Sequence, residues 1–312
     1  MSDRKMLLHR AIPNSKQKII DFLNELKEVH QLKLRQSLFC MEHTGVYGNH
    51  LIQVLEKLRT SIVIENGYHV LHSFGLSRGK DDKTDAIRLA AYAECHYPEL
   101  RMWVPARPVL VKLGHLTSVR ERLVSIATQL KVPLKENKPF VLENLSTAAA
   151  AHCKKSSVAV NADIKKIEMT MDKLIAVDDH LSQLNKLIMS VPGVGKHTAL
   201  QVIIRTNEFK TILDPGKFAC YAGVVPFKTE SGLKSSKGRL SPLANLKMKS
   251  LLHICAVRAI RIDPELKAYY QRKTGEGKSK MAVINAIRNK LVLRIFACVN
   301  NNRPFLRSTE TT

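Results

Sequence analysis

Between residues 15 and 95 the spacing of apolar positions alternates between two periods. Ile19, Ile20, Phe22, Leu23 and Leu26 recur three and four apart behind Asn14 and Ser15, which predicts a capped helix running to about His30. SLFCME, residues 37–42, is a short and mostly apolar run that closes on an acid and predicts a strand. TGVYG then turns the chain into a helix over residues 50–58, and SIVIE, 61–65, is the next predicted strand. Strands and helices in alternation predict an α/β layer with a largely buried sheet. From about Pro108 to Met189 the period becomes helical throughout. LGHLTSVRERLVSIATQL and IKKIEMTMDKLIAVDDHLSQLNKLI keep apolar residues three and four apart, so two long helices packed as a coiled-coil-like hairpin are expected, without the sustained heptads of a true coiled coil. From Val191 a glycine turn opens a mainly helical stretch interrupted by a basic, Gly/Ser-rich loop at 228–245. The expected organisation is an α/β domain over 1–105, a helical hairpin over 106–189 and a C-terminal domain over 190–312.

Charge narrows the choice of partner. The chain has 50 Lys and Arg against 27 Asp and Glu, a formal charge of +23, and a pI of about 9.9, with the excess spread along its length. Such a field suits a polyanion, and nucleic acid is the expected partner. No run of about 18 apolar residues is present and the N-terminus lacks the apolar core of a signal peptide, so a cytosolic chain with no membrane partner is expected. The six cysteines are scattered, with no C-x-x-C pair and no histidine at finger spacing, which argues against zinc-finger and disulfide scaffolds.

Against that basic background, KDDKTDAIRLAAYA, residues 80–93, gathers three aspartates in five positions. Acids in a first helical turn cap free N–H groups and complement the dipole, which accounts for one or two of Asp81, Asp82 and Asp85. Asp82 and Asp85 are also three apart, so they share a helix face and can hold one divalent ion between them. Glu42 ends a predicted strand, at the edge where α/β sites form. An acidic pocket in a basic protein is the arrangement that metal-dependent phosphoryl transfer on DNA requires.

Two further segments carry candidate chemistry. SVPGVGKHTALQVI, 190–203, places Gly193 and Gly195 around one apolar residue ahead of Lys196 and a helix. It reads equally as a helix-hairpin-helix-like turn aiming N–H groups at phosphate and as a plain connector. A Walker motif is excluded by the spacing of its glycines. In FACYAGVVPFKTESGLKSSKGRLSPLANLKMKSLL, 218–252, a Ser-Gly pair lies five residues after Pro226, near Lys228, Lys234, Lys237, Arg239, Lys247 and Lys249. The lysines and arginine suit phosphate contacts. Attack by a serine hydroxyl on a phosphodiester would give a phosphoserine link, but no neighbouring histidine or acid identifies an activator, and Ser231, Ser235, Ser236 and Ser241 are not separated by this reasoning.

MEHTGVYGNHL, GKDDKTDAIRLAAYA, VPGVGKHTA, FACYAGVVPFKTESGLKSSKGRLS and LANLKMKSLL, taken in order, resemble the DEDD transposases of bacterial insertion sequences, relatives of Piv-type DNA invertases and bridge-RNA-guided recombinases. The resemblance runs through nearly the whole chain. It implies a RuvC-like, RNase H-type N-terminal domain, a helical segment and a C-terminal transposase domain. It places the family's Glu on Glu42, its Asp-x-x-Asp-Ala on Asp82, Asp85 and Ala86, and its Ser-Gly on Ser231 and Gly232. In that scheme the acids bind Mg²⁺ or Mn²⁺ and Ser231 attacks the DNA of an insertion-sequence end, at a composite site between the subunits of a dimer or tetramer, with a guide RNA as a further partner. The family's first Asp lies on an early strand in a Gly-Ile-Asp setting. MSDRKMLLHRAIP has no such strand and Asp3 does not match it, so an incomplete N-terminal domain is expected. The alternatives are a catalytically inactive nucleic-acid-binding remnant and a metal-dependent junction nuclease without the serine step.

Overall fold

The computed structural model describes Met6 and residues 8–74, 81–227, 230–231, 234–235 and 238–306, with the backbone alone at 230, 231, 234 and 235. The chain divides into two compact units, Met1–Pro105 and Ala106–Thr312.

In the first unit, α1 (Lys16–Glu28) starts at Ser15, whose hydroxyl accepts from the Lys18 N–H. β1 (Leu38–Glu42) and β2 (Ser61–Glu65) pair in parallel, with α2 (Asn49–Lys57) as the crossover. Val63 forms an antiparallel bridge to Met102, and the Trp103 N–H donates to Ile62 O at 2.7 Å, which lengthens the sheet by one short edge. Ile19, Leu23, Val54, Leu55 and Ile62 form the buried core beneath it. The sheet is less enclosed than its apolar runs predict: every residue of β1 except Glu42 is half-buried, and full burial is confined to Ile62 and Val63 in β2. α3 (Gly67–Ser73) follows β2 directly, and α4 (Asp82–Cys95) packs against both α3 and β1.

The second unit is helical. α5 (Pro108–Glu136) packs along α6 (Glu143–Val177), and both contribute to one core with the later helices through Leu110, Leu113 and Met171. The long apolar run expected to form a single second helix is broken at Asp178. That residue leaves helical geometry at φ −101° and ψ 107° and caps α7 (Asp179–Met189) by accepting from the Leu181 N–H at 3.0 Å. Aspartate is a strong N-cap, and the apolar period carries no trace of it. α8 (Lys196–Arg205), α9 (Pro215–Tyr221), α10 (Leu246–Ile262), α11 (Pro264–Gly275) and α12 (Lys280–Asn300) complete the unit, with α12 against α7, α9, α10 and α11.

The expected basic loop at 228–245 contains paired backbone. β3 (Glu230–Ser231) runs antiparallel to β4 (Lys234–Ser235), and Phe227 and Arg239 exchange two backbone hydrogen bonds of 2.8 Å below them. Among the described residues no helix is long and apolar enough to cross a membrane.

Candidate functional site

Glu42 and Glu65 are directly opposite each other at the carboxyl ends of β1 and β2. The backbone of α3 passes immediately under Glu42: a methyl group at Gly67 would overlap the Glu42 carboxylate. Glycine leaves room here for the carboxylate end of a flexible side chain. Gly67→Ala is therefore expected to fold, since alanine favours helix over glycine, and to displace Glu42. A thermal melt and the structure of the variant check this: native melting with the Glu42 carboxylate unmoved would contradict it. ENGYH carries the signal, a glycine just past a strand end, but only its closeness to Glu42 gives it meaning.

The three aspartates of α4 separate into different roles. Asp81 is the N-cap, accepting from the Thr84 N–H at 3.3 Å and hydroxyl at 3.2 Å, and these bonds hold its carboxyl below the ordinary aspartate range. Asp82 is exposed. Asp85 is half-buried, on the α4 face that continues through Arg88, Leu89 and Tyr92 to Ala93, and it pairs with Arg88 at 3.5 Å. On the same face, burial first and then the charges of Glu65 and Cys40 raise the Tyr92 hydroxyl above its usual pKa, which places this face of α4 within electrostatic reach of both strands. Burial, with Glu65 adding to it, pushes the Cys40 thiol up to about 11, so Cys40 supplies no thiolate near neutral pH.

For a divalent ion the donors are right in kind, since Mg²⁺ takes carboxylate oxygens and completes its shell with water and substrate phosphates around one or two carboxylates. Among the described residues, no group of three acidic, histidine or cysteine side chains is gathered closely enough to hold an ion alone. The residues that could hold such an ion are Glu42, Asp82 and Asp85, with water completing its shell.

In the second unit the glycine turn lies between α7 and α8. Gly193 has φ +89°, and a Cβ there would meet Cys255 O at 2.5 Å and Ala259 Cβ at 2.8 Å on α10. Gly193→Ala meets both left-handed strain and overpacking, each costing about 1–3 kcal/mol. Urea denaturation is expected to show that loss; an unchanged midpoint would contradict the packing. Gly195 caps α8 without a side chain, and Lys196 is exposed and bonded to Asp172 at 2.8 Å. Ser231 pairs with Lys234 in the β3–β4 ladder. Arg239 is exposed at its base, while Lys228, Gly232 and Lys237 lie outside the described residues.

Two family models match the chain: a DEDD transposase model of the IS110 type over residues 1–137, and one described as the transposase IS116/IS110/IS902 family over 185–271. The chain belongs to this IS110-type transposase family. The pilin gene-inverting proteins of Moraxella bovis and Moraxella lacunata are each 26% identical to it over 274 residues, covering 85% of this chain and 80% of theirs. A 43.6 kDa protein of insertion element IS110 from Streptomyces coelicolor is 24% identical over 147 residues, covering 47% of this chain and 35% of its own. The first family match contains Glu42, Asp82 and Asp85 of this transposase, and the second contains the glycine turn, Ser231 and α10. Family membership supports DNA transposition or recombination as its class of activity.

Proposed function

We propose that the chain cleaves and rejoins the DNA of an insertion sequence by Mg²⁺-dependent phosphoryl transfer, with Ser231 as nucleophile. The observation that supports this reading is the packing of α4, which bears Asp82 and Asp85, on β1, the strand that ends in Glu42, within a DEDD-type unit. Glu42 and Asp85, with Asp82 one turn away toward solvent, would hold the metal, and an RNase H-like arrangement of the first unit is the fold that such a site implies. When bound, Mg²⁺ or Mn²⁺ neutralises charge developing on the phosphate oxygens. The protein's own contribution is to fix the acids and to deliver the serine hydroxyl. Ser231 Oγ bonds to phosphorus, one backbone P–O bond breaks, the sugar hydroxyl leaves, and the DNA remains joined as a phosphoserine ester until a second hydroxyl displaces the serine.

Gly195 and Lys196 at the start of α8, together with Lys228, Lys234, Lys237 and Arg239 around the ribbon, are proposed to contact phosphates. A guide RNA would occupy the same class of basic surface. A homo-oligomer is supported by apolar side chains left exposed around the far end of the α5–α6 hairpin, Phe140 at 88% and Leu142 at 71%.

One observation favours a second reading, a protein that binds nucleic acid without chemistry: the absence, among the described residues, of a complete ligand group. Strand exchange on duplexes carrying the ends of the encoding element, with Mg²⁺ and then with chelator, separates the two. Divalent-dependent recombinant product supports the proposal. Salt-sensitive binding with no product under any divalent ion supports the binding protein, and hydrolysed ends without protein attached would indicate a junction nuclease.

A further inference from the structure

Arg288 on α12 is only 4% exposed, yet among the described residues no carboxylate pairs with it. Its guanidinium donates to Asn285 Oδ1 at 3.2 Å and to His253 Nδ1 at 2.6 Å, while its Nε–H is buried without a partner. Taking an arginine charge out of water costs several kcal/mol unless an anion and further hydrogen bonds compensate. Burial alone lowers its proton affinity. A guanidinium has five N–H donors and no acceptor, so His253 Nδ1 must be accepting through its lone pair and the ring proton must lie on Nε2. That Nε2–H takes no partner among the described residues.

The cluster is tied to the serine ribbon. Asn285 Nδ2 donates to Val224 O at 2.6 Å, and Val224 leads through Pro226 to the Phe227–Arg239 pair that forms the foot of β3 and β4. Beside it Gly223 turns at φ +63° under Ala244 and Lys249, and Lys249 and His253 are four apart on one face of α10. Asn285 and Lys249 thus reach the residues that feed the ribbon, and Arg288 and His253 join them through the Asn285 hydrogen bond and the shared face of α10. Among the described residues the arrangement includes no anion.

We propose that Arg288 and His253 form a binding site for a backbone phosphate of the DNA strand engaged by the Ser231 ribbon, with His253 Nε2–H as a direct donor and Arg288 as the countercharge behind it. The inference rests on the reading that this ribbon works on DNA. A buried guanidinium is stabilised by an anion within electrostatic reach, and the DNA backbone is the anion that a transposase brings to this unit. By holding Val224 and a phosphate through one network, the site would fix the ribbon's base relative to the strand. Arg288 and His253 are thus positioning residues for the ribbon.

The test uses the full chain and a duplex carrying an end of the encoding element, with affinity measured across a salt series. Arg288→Gln is expected to lower the slope of log affinity against log salt by about 0.9, the loss of one neutralised phosphate. His253→Ala is expected to weaken binding about tenfold or more, as for a hydrogen bond to a charged group, with the slope unchanged because the lost donor is neutral. A purely structural role for the pair would leave the affinity and slope of any folded variant native, and that result overturns the proposal. Should Arg288→Gln fail to fold, His253→Ala decides alone, because its side chain is only half-buried. The same effects on an RNA duplex but not on DNA would also overturn it. If the native chain binds no DNA, the proposed function itself fails; if it binds and recombines while both variants match it, only the phosphate site fails.

Discussion

Asp85→Ala is expected to abolish strand exchange while leaving DNA binding and folding in place. The carboxylate lies half-buried on α4, and its ion pair with Arg88 at 3.5 Å is too exposed to contribute more than about 1 kcal/mol to stability. Removing it therefore acts on the chemistry and leaves the fold intact. Loss of one group that stabilises developing charge costs about 10²–10³-fold, and a shared metal ligand should cost at least that. Asp81→Ala is the informative control. Asp81 caps α4 through Thr84, so its loss should lower stability measurably with activity largely kept. Product formation and thermal melts on the two variants check the pair. Equal activities would refute the separation of roles among these three acids.

The largest effect on stability is expected at Glu208. Its side chain is fully buried after α8, in a run where Asn207, Glu208 and Phe209 all have positive φ. Arg107 Nε donates to both of its carboxylate oxygens at 2.9 and 3.0 Å, Lys210 Nζ adds a bond at 2.9 Å, and the same guanidinium donates to Asp178 at 2.7 and 3.1 Å. One arginine thus joins the start of α5, the α6–α7 break and the end of α8. Arg107→Met leaves Glu208 buried with a single cation, and breaking such a pair costs about 3 kcal/mol. Burial raises the Glu208 pKa, but the bonds from Arg107 and Lys210 outweigh it and the net shift is downward; Asp178 is lowered by its bond to Arg107. For groups depressed in the folded state, the stability they give is present above their unfolded pKa values, about 4, and lost as pH falls through the lower folded values. Native protein should therefore lose stability progressively below about pH 4. Arg107→Met should lack much of that acid dependence, as urea denaturation at pH 7 and at lower pH would show. A native urea midpoint at pH 7 for the variant would contradict this account.

Local pattern carried the elements well where period and caps agree. SIVIE is legible as a short β-branched apolar run, and the helix behind Ser15 as a helical period that begins at a capping hydroxyl. The break at Asp178 was hidden because the apolar period continues across it, and what fixes it is an arginine 71 residues away. The β3–β4 ribbon was hidden for a different reason: glycine, serine and lysine have low strand propensity, so the pairing has little local signal. Within the candidate site, Asp82 and Asp85 were visible as an acid pair in a basic chain. Their inequality was not, since spacing sets a shared face but not how deeply each residue packs. Gly67 and Arg288 gain their meaning only from a tertiary neighbour, Glu42 for one and His253 for the other.

The central claim is a serine-linked strand transfer, and the most direct measurement is to stop the reaction with denaturant, digest the protein and identify the DNA-linked peptide by mass spectrometry. The account predicts one nucleotide-bearing peptide with the link on Ser231, dependent on Mg²⁺ or Mn²⁺ and absent from Ser231→Ala. Recombinant product formed by Ser231→Ala, or cleaved DNA with free ends and no peptide attached, would contradict it.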